Sequence, residues 1–475
     1  MSTAEDTHDQ HPHVSMAKLP LWYSSGYSQS MVRANHAFTG ILSLMTWLLP
    51  ECLHPRGSAN NMALRPTAYL DAIRGYAAWS VVNHHLRNHT ETWLFQQPPL
   101  LMLHKGSLAV DIFFIISGFV LSRRALDLVR QEREVALLEC LASSTFRRYI
   151  RLYLSAAVGT FIAMVLFYFN IWSWYSLPRC ESFGAQLLHW VGDVVAFSDP
   201  FADLKGWYYT DVFTSKYLFV LWTIPIEFRG SMVVFLFCTA TCKFSARART
   251  VACWLCILLC YIWQRVYISL FLFGVLLAEI SLSRQSTSKD DLPVCEQKFS
   301  PIARSKRAAF HLVPITILII GIFLSNQPVD LGLHGPNPWP YLDNCIPSWW
   351  EAGAESTIHF WTSIGACCIL YAIETYPAFR RPLETSFSQY LGRLSFGMYI
   401  MHVIVQMGLY ERVLNPAREV FLGESLLSYC VIYVPFMIVV LWVADYFNRM
   451  DRLVINFSRW LEKRLFAQDS GQSSK

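Results

Sequence analysis

Ionisable side chains occur inside long apolar segments of this chain, where a charge is costly and usually lines a cavity or a transport path. Arg74 and His85 are eleven residues apart in one such segment. On a helix they share nearly the same face, separated by roughly 16 Å along the axis. Arginine is a binding group for phosphate, and histidine is a general base near neutral pH. The spacing therefore predicts two stations on one helix, an anion site at Arg74 and proton transfer at His85.

Three further ionisable residues are predicted to converge with His85. Asp111 is expected at a depth similar to that of His85, Glu227 near the middle of its segment and His402 beyond the middle. Asp111, Glu227 and His402 each fall within an apolar segment, and the direction of each segment places them in the central-to-far half of the membrane. A carboxylate beside a histidine fixes its tautomer, so Asp111 is the expected partner of His85. These four residues form the candidate catalytic set, in which Glu227 and His402 complete the pocket without an assigned role.

Two more arginines are expected to join Arg74. Arg148 and Arg151 are three residues apart, so they share a helix face, and they are predicted to lie at the cytosolic edge of their segment. The three arginines would bind an anionic, phosphate-bearing donor whose long arm reaches the deeper histidine. Asp71 lies three residues before Arg74 and is an alternative partner for it.

The cysteine and glycosylation patterns give weaker predictions than the ionisable residues do. Cys253 and Cys256 form a C-x-x-C pattern in an apolar helix without a second pair, so buried small hydrophobic residues are the better interpretation. Cys180 and Cys345 each lie in a long non-cytosolic loop and would pair in an oxidising compartment, with two free thiols as the alternative. Asn88 opens an N-H-T sequon close to the membrane. No metal site is expected, because the histidines lie on different segments without ligand spacing.

The elements that position these residues are predicted to be membrane-spanning helices. The 475 residues are 54% hydrophobic and only 15% charged, whereas a soluble domain carries about 25% charged residues. The net charge of +5 comes from basic residues beside the apolar segments, which indicates topology signals and not nucleic-acid binding. We predict ten spans, at about 69–87, 107–122, 150–171, 217–240, 250–263, 266–282, 308–325, 358–374, 388–410 and 425–446.

Loop charges set the predicted orientation of these spans. Loops after even-numbered spans are rich in Lys and Arg, whereas the loop 326–357 contains neither, so both termini are predicted to be cytosolic. The expected fold is all-α, a polytopic integral membrane bundle of about ten transmembrane helices. Its predicted parts are a disordered N-terminus (1–35), an interfacial helix and linker (36–65), the transmembrane domain (66–447) and a basic cytosolic tail (448–475).

Five blocks of the chain resemble the signature of the acyltransferase 3 family and occur in the family's order. They read LDAIRG at 70–75, AVDIFFIISGF at 109–119, RYIR at 148–151, LWTIPIEF at 221–228 and LSFGMYIMH at 394–402. The first two blocks have alanine where glycine is usual, which is a change at packing positions. The amino-acid sequence of the fourth block resembles that of fungal members of the family.

The resemblance implies a membrane O-acyltransferase that transfers an acyl group, often acetyl, from acyl-CoA to a hydroxyl. Arg74, Arg148 and Arg151 would bind acyl-CoA, which acts as a co-substrate without any bound cofactor. The implied partners are acyl-CoA, a hydroxylated small-molecule acceptor and the lipid bilayer, and the expected compartment is the endoplasmic reticulum or another endomembrane.

The acceptor and the reaction class have alternatives. A small lipophilic molecule, such as a fungal secondary metabolite, is the expected acceptor, and a glycan or a lipid is the alternative. Intramembrane His, Asp and Glu residues also serve in proton-coupled transporters. The sequence shows no internal repeat, which weakens a transporter interpretation.

Overall fold

In the computed structural model, all regular secondary structure of the described residues is helical. This confirms the all-α prediction for that part of the chain. It describes residues 50, 64–86, 100–173, 177–202, 213–290, 301–328, 338–350 and 355–466, with side chains except at 286–290, 301–310 and 355–358. The predicted N-terminus 1–35, almost all of the linker 36–65 and the sequon at Asn88 lie outside the described residues.

Each predicted span overlaps a helix. The helices are α1 (Ala68–His85), α2 (Gly106–Arg130), α3 (Glu134–Tyr168), α4 (Phe183–Phe197), α5 (Thr223–Ala240), α6 (Ala246–Ile262), α7 (Val266–Asp290), α8 (Pro301–Ser325), α9 (Trp339–Asp343), α10 (Glu355–Thr375), α11 (Ser386–Val405), α12 (Asn415–Phe421) and α13 (Leu426–Leu465). Those long and apolar enough to cross a membrane are Glu134–Tyr168, Phe219–Ala240, Val266–Gln285 and Leu426–Leu465. A total of ten crossings and the cytosolic termini stay predictions.

Several boundaries differ from those predicted. Between the predicted spans 150–171 and 217–240 lies a further helix, α4, whose N-cap Ser182 accepts a hydrogen bond from the backbone N–H of Ala185. α3 begins at Glu134, well before the predicted start at 150. α13 continues to Leu465 through most of the predicted tail. The tail is helical because apolar and small residues recur at helical spacing on its buried face.

Helices α1 and α11 run parallel in one constant register. The side-chain amide of Gln389 donates to the carbonyl of Ala68 at 3.0 Å, and that of Gln406 donates to the carbonyl of His85 at 2.6 Å. Both bonds join residues 321 positions apart in the chain. The register therefore holds along the whole of α1.

Glycines permit the close approach of α1 and α11. A Cβ atom added to Gly75 would lie 2.5 Å from the backbone nitrogen of Gly392, so a side chain at either position would push the helices apart. Gly118 on α2 and Gly274 on α7 form a second contact of this kind, in which an added Cβ would overlap the backbone of the opposite helix. Small residues at helix crossings are typical of membrane bundles, where close packing replaces the hydrophobic drive.

The contact between α2 and α7 generates a prediction about stability. Replacing Gly118 by Val places methyl groups against the carbonyl of Phe271. Overpacking usually costs about 1–3 kcal/mol, and a rigid helix backbone leaves little room to relax. We expect a lower thermal unfolding temperature in detergent and a lower yield of monodisperse protein.

The matched control is Gly192→Ala on the exposed side of α4, where an added Cβ meets nothing within 4 Å. This variant should be neutral or slightly more stable, because alanine is the better helix former. Equal stability of the two variants would contradict the packing role of Gly118.

Candidate active site

A cavity of about 180 Å³ lies between α1, α2, α3, α5 and α11. Its wall contains Arg74, Arg148 and Arg151, the three arginines expected to converge, and also Glu227. The apolar part of the wall includes Phe113. The structure thus gathers the predicted anion-binding residues around one space, and it adds a carboxylate to them.

Glu227 lies at the arginine end of the site and not beside His85. It forms an ion pair with Arg148 and accepts a hydrogen bond from Ser117. Arg148 also donates to the hydroxyl of Ser231 at 2.8 Å. The predicted convergence of Glu227 with the histidines is therefore not what the structure shows, because the carboxylate is held by the guanidinium of α3.

Arg74 and Arg151 have no direct ion-pair partner among the described residues, although carboxylates lie near both of them. Among the described residues, neither makes a hydrogen bond or an ion pair, and Asp71, the alternative partner of Arg74, is exposed. The two guanidinium groups are near enough to repel each other. Like charges held together at the wall of a cavity form a binding site for an anion, particularly a phosphate.

His85 and His402 are brought together, as the sequence predicts. Their rings stack with centroids 5.2 Å apart and an interplanar angle of 29°, and Phe219 packs edge-on against His85 at 5.4 Å. His85 is half-buried, whereas His402 is completely buried. Only the ring of His85 is therefore open to a substrate.

The hydrogen bonds of His402 fix its neutral tautomer. Its Nδ1 faces the carbonyl oxygens of Tyr399 at 2.9 Å and Met398 at 3.1 Å. Carbonyl oxygens only accept, so Nδ1 carries the hydrogen and Nε2 keeps its lone pair. Within the described structure, Nε2 has no hydrogen-bond partner.

Tyr399 connects the two ends of the site. It lines the arginine cavity, and it precedes His402 by three residues, with 6.3 Å between the ring centroids. Its hydroxyl donates to the carbonyl of Val220 and contacts the hydroxyl of Thr223 at 2.8 Å. The inner wall of the cavity is thus one helical turn from the histidine pair.

Asp111 has a different partner from the one expected. Its Oδ1 accepts a hydrogen bond from Nδ1 of His359 on α10 at 2.8 Å, and Nε2 of His359 lies 3.1 Å from the hydroxyl of Tyr267 on α7. All three side chains are buried. The expected contact with His85 is wrong because Asp111 points to α10 and α7, away from α1.

His359 is the residue that sequence reasoning missed. It lies at the start of the predicted span 358–374. The rule that singled out His85 and His402, an ionisable side chain within an apolar segment, applies to it equally. That rule would have identified His359, although not its pairing with Asp111.

The structure also describes the cysteine residues singled out in the sequence. Cys180 and Cys345 are both free thiols. Cys253 is buried and its thiol lies 3.2 Å from the carbonyl of Leu272, which agrees with a small hydrophobic residue. Over the described ranges, no group of three or more His, Cys, Asp or Glu residues has the arrangement of a metal site.

Comparison with known proteins extends the resemblance. A family model described as an acyltransferase domain matches residues 67–449. The chain is 26% identical over 451 residues to O-acetyltransferase PaAT-1 of Phomopsis amygdali, covering 86% of this chain and 87% of that protein. It is 24% identical to acyltransferase R4 of a Phoma species, over 71% and 82% of the two chains, and 24% identical to acyltransferase clz18 of Cochliobolus lunatus, over 82% and 94%. No solved structure matches the chain.

The Asp111–His359 pair generates a prediction about stability. His359→Ala leaves the Asp111 carboxylate buried without its partner, and breaking a buried pair in this way destabilises by about 3–5 kcal/mol. The double variant Asp111→Leu with His359→Leu removes both polar groups and should lose less than the single one. Thermal unfolding in one detergent gives the comparison. A double variant that loses the sum of the losses of Asp111→Leu and His359→Leu measured singly would contradict the coupling.

Proposed function

The chain belongs to the acyltransferase domain family, and we propose that it is a membrane O-acyltransferase that transfers an acetyl group from acetyl-CoA to a hydroxyl of a small lipophilic molecule. Its activity as an acyltransferase follows from the family and from its relatives. The name of one relative, an O-acetyltransferase, supports acetyl as the acyl group and oxygen as the acceptor atom. A fungal secondary metabolite is the acceptor class that we propose.

One observation carries the choice of donor. Arg74 and Arg151 present to a cavity two guanidinium groups that make no hydrogen bond or ion pair with any described residue. Tyr399, on the inner wall of that cavity, lies one turn from the histidine pair. Acyl-CoA carries its phosphates far from its thioester, at opposite ends of a flexible arm. Phosphates on the arginines and a thioester at the histidines would match this separation.

His85 is the proposed general base. It is the member of the histidine pair that a substrate can reach, and a base must lie within hydrogen-bond distance of the proton that it removes. It takes the proton of the acceptor hydroxyl while the oxygen attacks the thioester carbonyl carbon. The C–S bond then breaks, the ester forms, and the leaving thiolate takes the proton from the His85 imidazolium.

His402 and Glu227 have supporting roles in this proposal. The buried ring of His402 stacks on His85 and holds its plane, and its backbone hydrogen bonds prevent it from turning. Glu227 orients Arg148, so Arg148 shapes the cavity while Arg74 and Arg151 bind the donor. Asp111 contributes indirectly, because its buried hydrogen bond with His359 joins α2 to α10.

The proposed role of His85 predicts a large loss of activity. His85→Ala should lower transfer by about 10²–10⁴-fold, the usual contribution of a general base. The assay uses isolated membranes, radiolabelled acetyl-CoA and, as the source of acceptor, an extract of a deletion strain that accumulates the unacylated product. Full activity of this variant would overturn the assignment.

The matched control is the neighbouring residue. His84 is exposed, and its Nδ1 lies 3.2 Å from the carbonyl of His104. Its ring packs edge-on against that of His85, with centroids 5.2 Å apart, so this variant removes a neighbouring imidazole and keeps the proposed base. His84→Ala should retain most of the activity. A loss equal to that of His85→Ala would mean that the segment, and not the imidazole, is responsible.

The arginines predict a different kinetic signature. Arg74→Ala or Arg151→Ala should raise KM for acetyl-CoA by about tenfold or more, since a hydrogen bond to a charged group contributes about 1.5–3 kcal/mol. Arg124→Ala, on the exposed side of α2, removes the same charge away from the cavity and should leave KM unchanged. An unchanged KM in both cavity variants would place the donor elsewhere.

A further inference from the structure

The last part of α13 extends beyond the region shared with the family. The family model ends at residue 449, whereas the helix continues to Leu465. We call residues 450–465 the C-terminal extension. Asp451, Val454 and Ser458 are buried at helical spacing, so this part of the extension packs against a neighbouring helix.

That neighbour is α3, the helix that carries two arginines of the site. Ser155 donates to the carboxylate of Asp451 at 2.5 Å, and Arg147 forms an ion pair with Glu462 at 3.0 Å. The order of these contacts shows that the extension runs antiparallel to α3. The contacts are eight residues apart on α3 and eleven apart on the extension, spacings of roughly 12 Å and 16 Å along the two axes.

Arg148 and Arg151 lie between these two contacts on α3, and Arg459 lies between them on the extension. Linear alignment of the two helices places Arg459 at the level of Arg148 to Arg151. Its charge is close enough to that of Arg151 for the two to repel, while Asp451 attracts Arg151. The extension thus brings one carboxylate and one further guanidinium to the arginine end of the site.

The charges there are not balanced. Arg147 is paired with Glu462, and Arg148 is paired with Glu227. Arg459 makes no hydrogen bond or ion pair with any residue that the structure describes, and its side chain is exposed. It is therefore a cation without a direct partner among the described residues, at the level of Arg148 to Arg151 on α3.

We propose that Arg459 binds the 3′-phosphate of a CoA thioester and completes the donor site from outside the family's shared domain. The proposal rests on acyl-CoA being the donor. A CoA thioester carries a pyrophosphate on its arm and a separate phosphate on the ribose, so it needs two groups of cations. Arg74 and Arg151 serve the pyrophosphate, which is nearer to the reacting carbonyl. Arg459, farther from the histidines, serves the ribose phosphate.

The test compares two donors that differ only in that phosphate. KM and kcat are measured with acetyl-CoA and with acetyl-3′-dephospho-CoA for the wild-type protein, Arg459→Ala and Arg459→Lys. With acetyl-CoA, Arg459→Ala should raise KM by about tenfold without changing kcat, the loss of one charge-assisted hydrogen bond. With the dephospho donor, the wild-type protein and Arg459→Ala should have equal KM values. Arg459→Lys should recover part of the affinity.

The control variant is Arg464→Ala. Arg464 is five residues further along the same helix, which places it roughly 140° around the axis, and it lies over the ring of Trp460. It removes the same charge from the extension and should leave KM for both donors unchanged. A rise equal to that of Arg459→Ala would show a general electrostatic effect of the helix and overturn the specific assignment.

Two other outcomes would also overturn the proposal. An equal rise in KM for both donors would mean that Arg459 does not read the 3′-phosphate. A loss that follows the content of anionic lipid in proteoliposomes, and not the donor, would mean that Arg459 contacts membrane phosphates. Failure of the proposed function is distinguishable from either, because the wild-type protein itself would then transfer nothing from acetyl-CoA.

Discussion

The close approach of α1 and α11 is the constraint on which the site depends. Gly75 and Gly392 meet backbone to backbone, and each is followed ten residues later by a histidine, His85 and His402. Because the helices run parallel in a constant register, equal distances along the two axes bring the two rings together. Stacking of the imidazoles is therefore a consequence of helix packing that was set roughly 15 Å away.

The same helix packing keeps the guanidinium groups of the site apart from its imidazoles. The guanidinium groups occupy one end of the arrangement and the imidazoles the other, with the ring of Tyr399 between them. Glu227 belongs to the charged end because α3 begins sixteen residues before its predicted start, so that Arg148 lies well inside a helix and reaches the carboxylate. A pair formed there neutralises one arginine and leaves two available. Without Glu227 the three like charges would repel more strongly.

Sequence reasoning located the helices and predicted an arginine site and a histidine site, but it did not predict all of the contacts that these residues make. Apolar segments, loop charges and helical spacing are local properties, and they sufficed to place Arg74, Arg151, His85 and His402. The partner of Asp111 depends on how far α2 is rotated about its axis, and that rotation is set by Gly118 against α7. Spacing along one helix carries no information about such a contact. The helix α4 was missed for another reason, since a helix beside the bundle need not be long enough to span a membrane.

Backbone irregularity occurs where the two histidines meet. Directly after α11 the chain forms a π-helix, Gln406–Leu414, which a reading based on the regular helical period does not predict. Such turns are rare and frequently lie at functional sites. Here the first residue of the π-helix, Gln406, donates to the carbonyl of His85, so the irregular backbone follows the catalytic candidate His402 and secures the end of α1. A regular continuation of α11 would turn each later side chain by a different angle, and α13 would then return to the bundle from another direction. The departure from ideal geometry is therefore part of what holds the histidine pair in place.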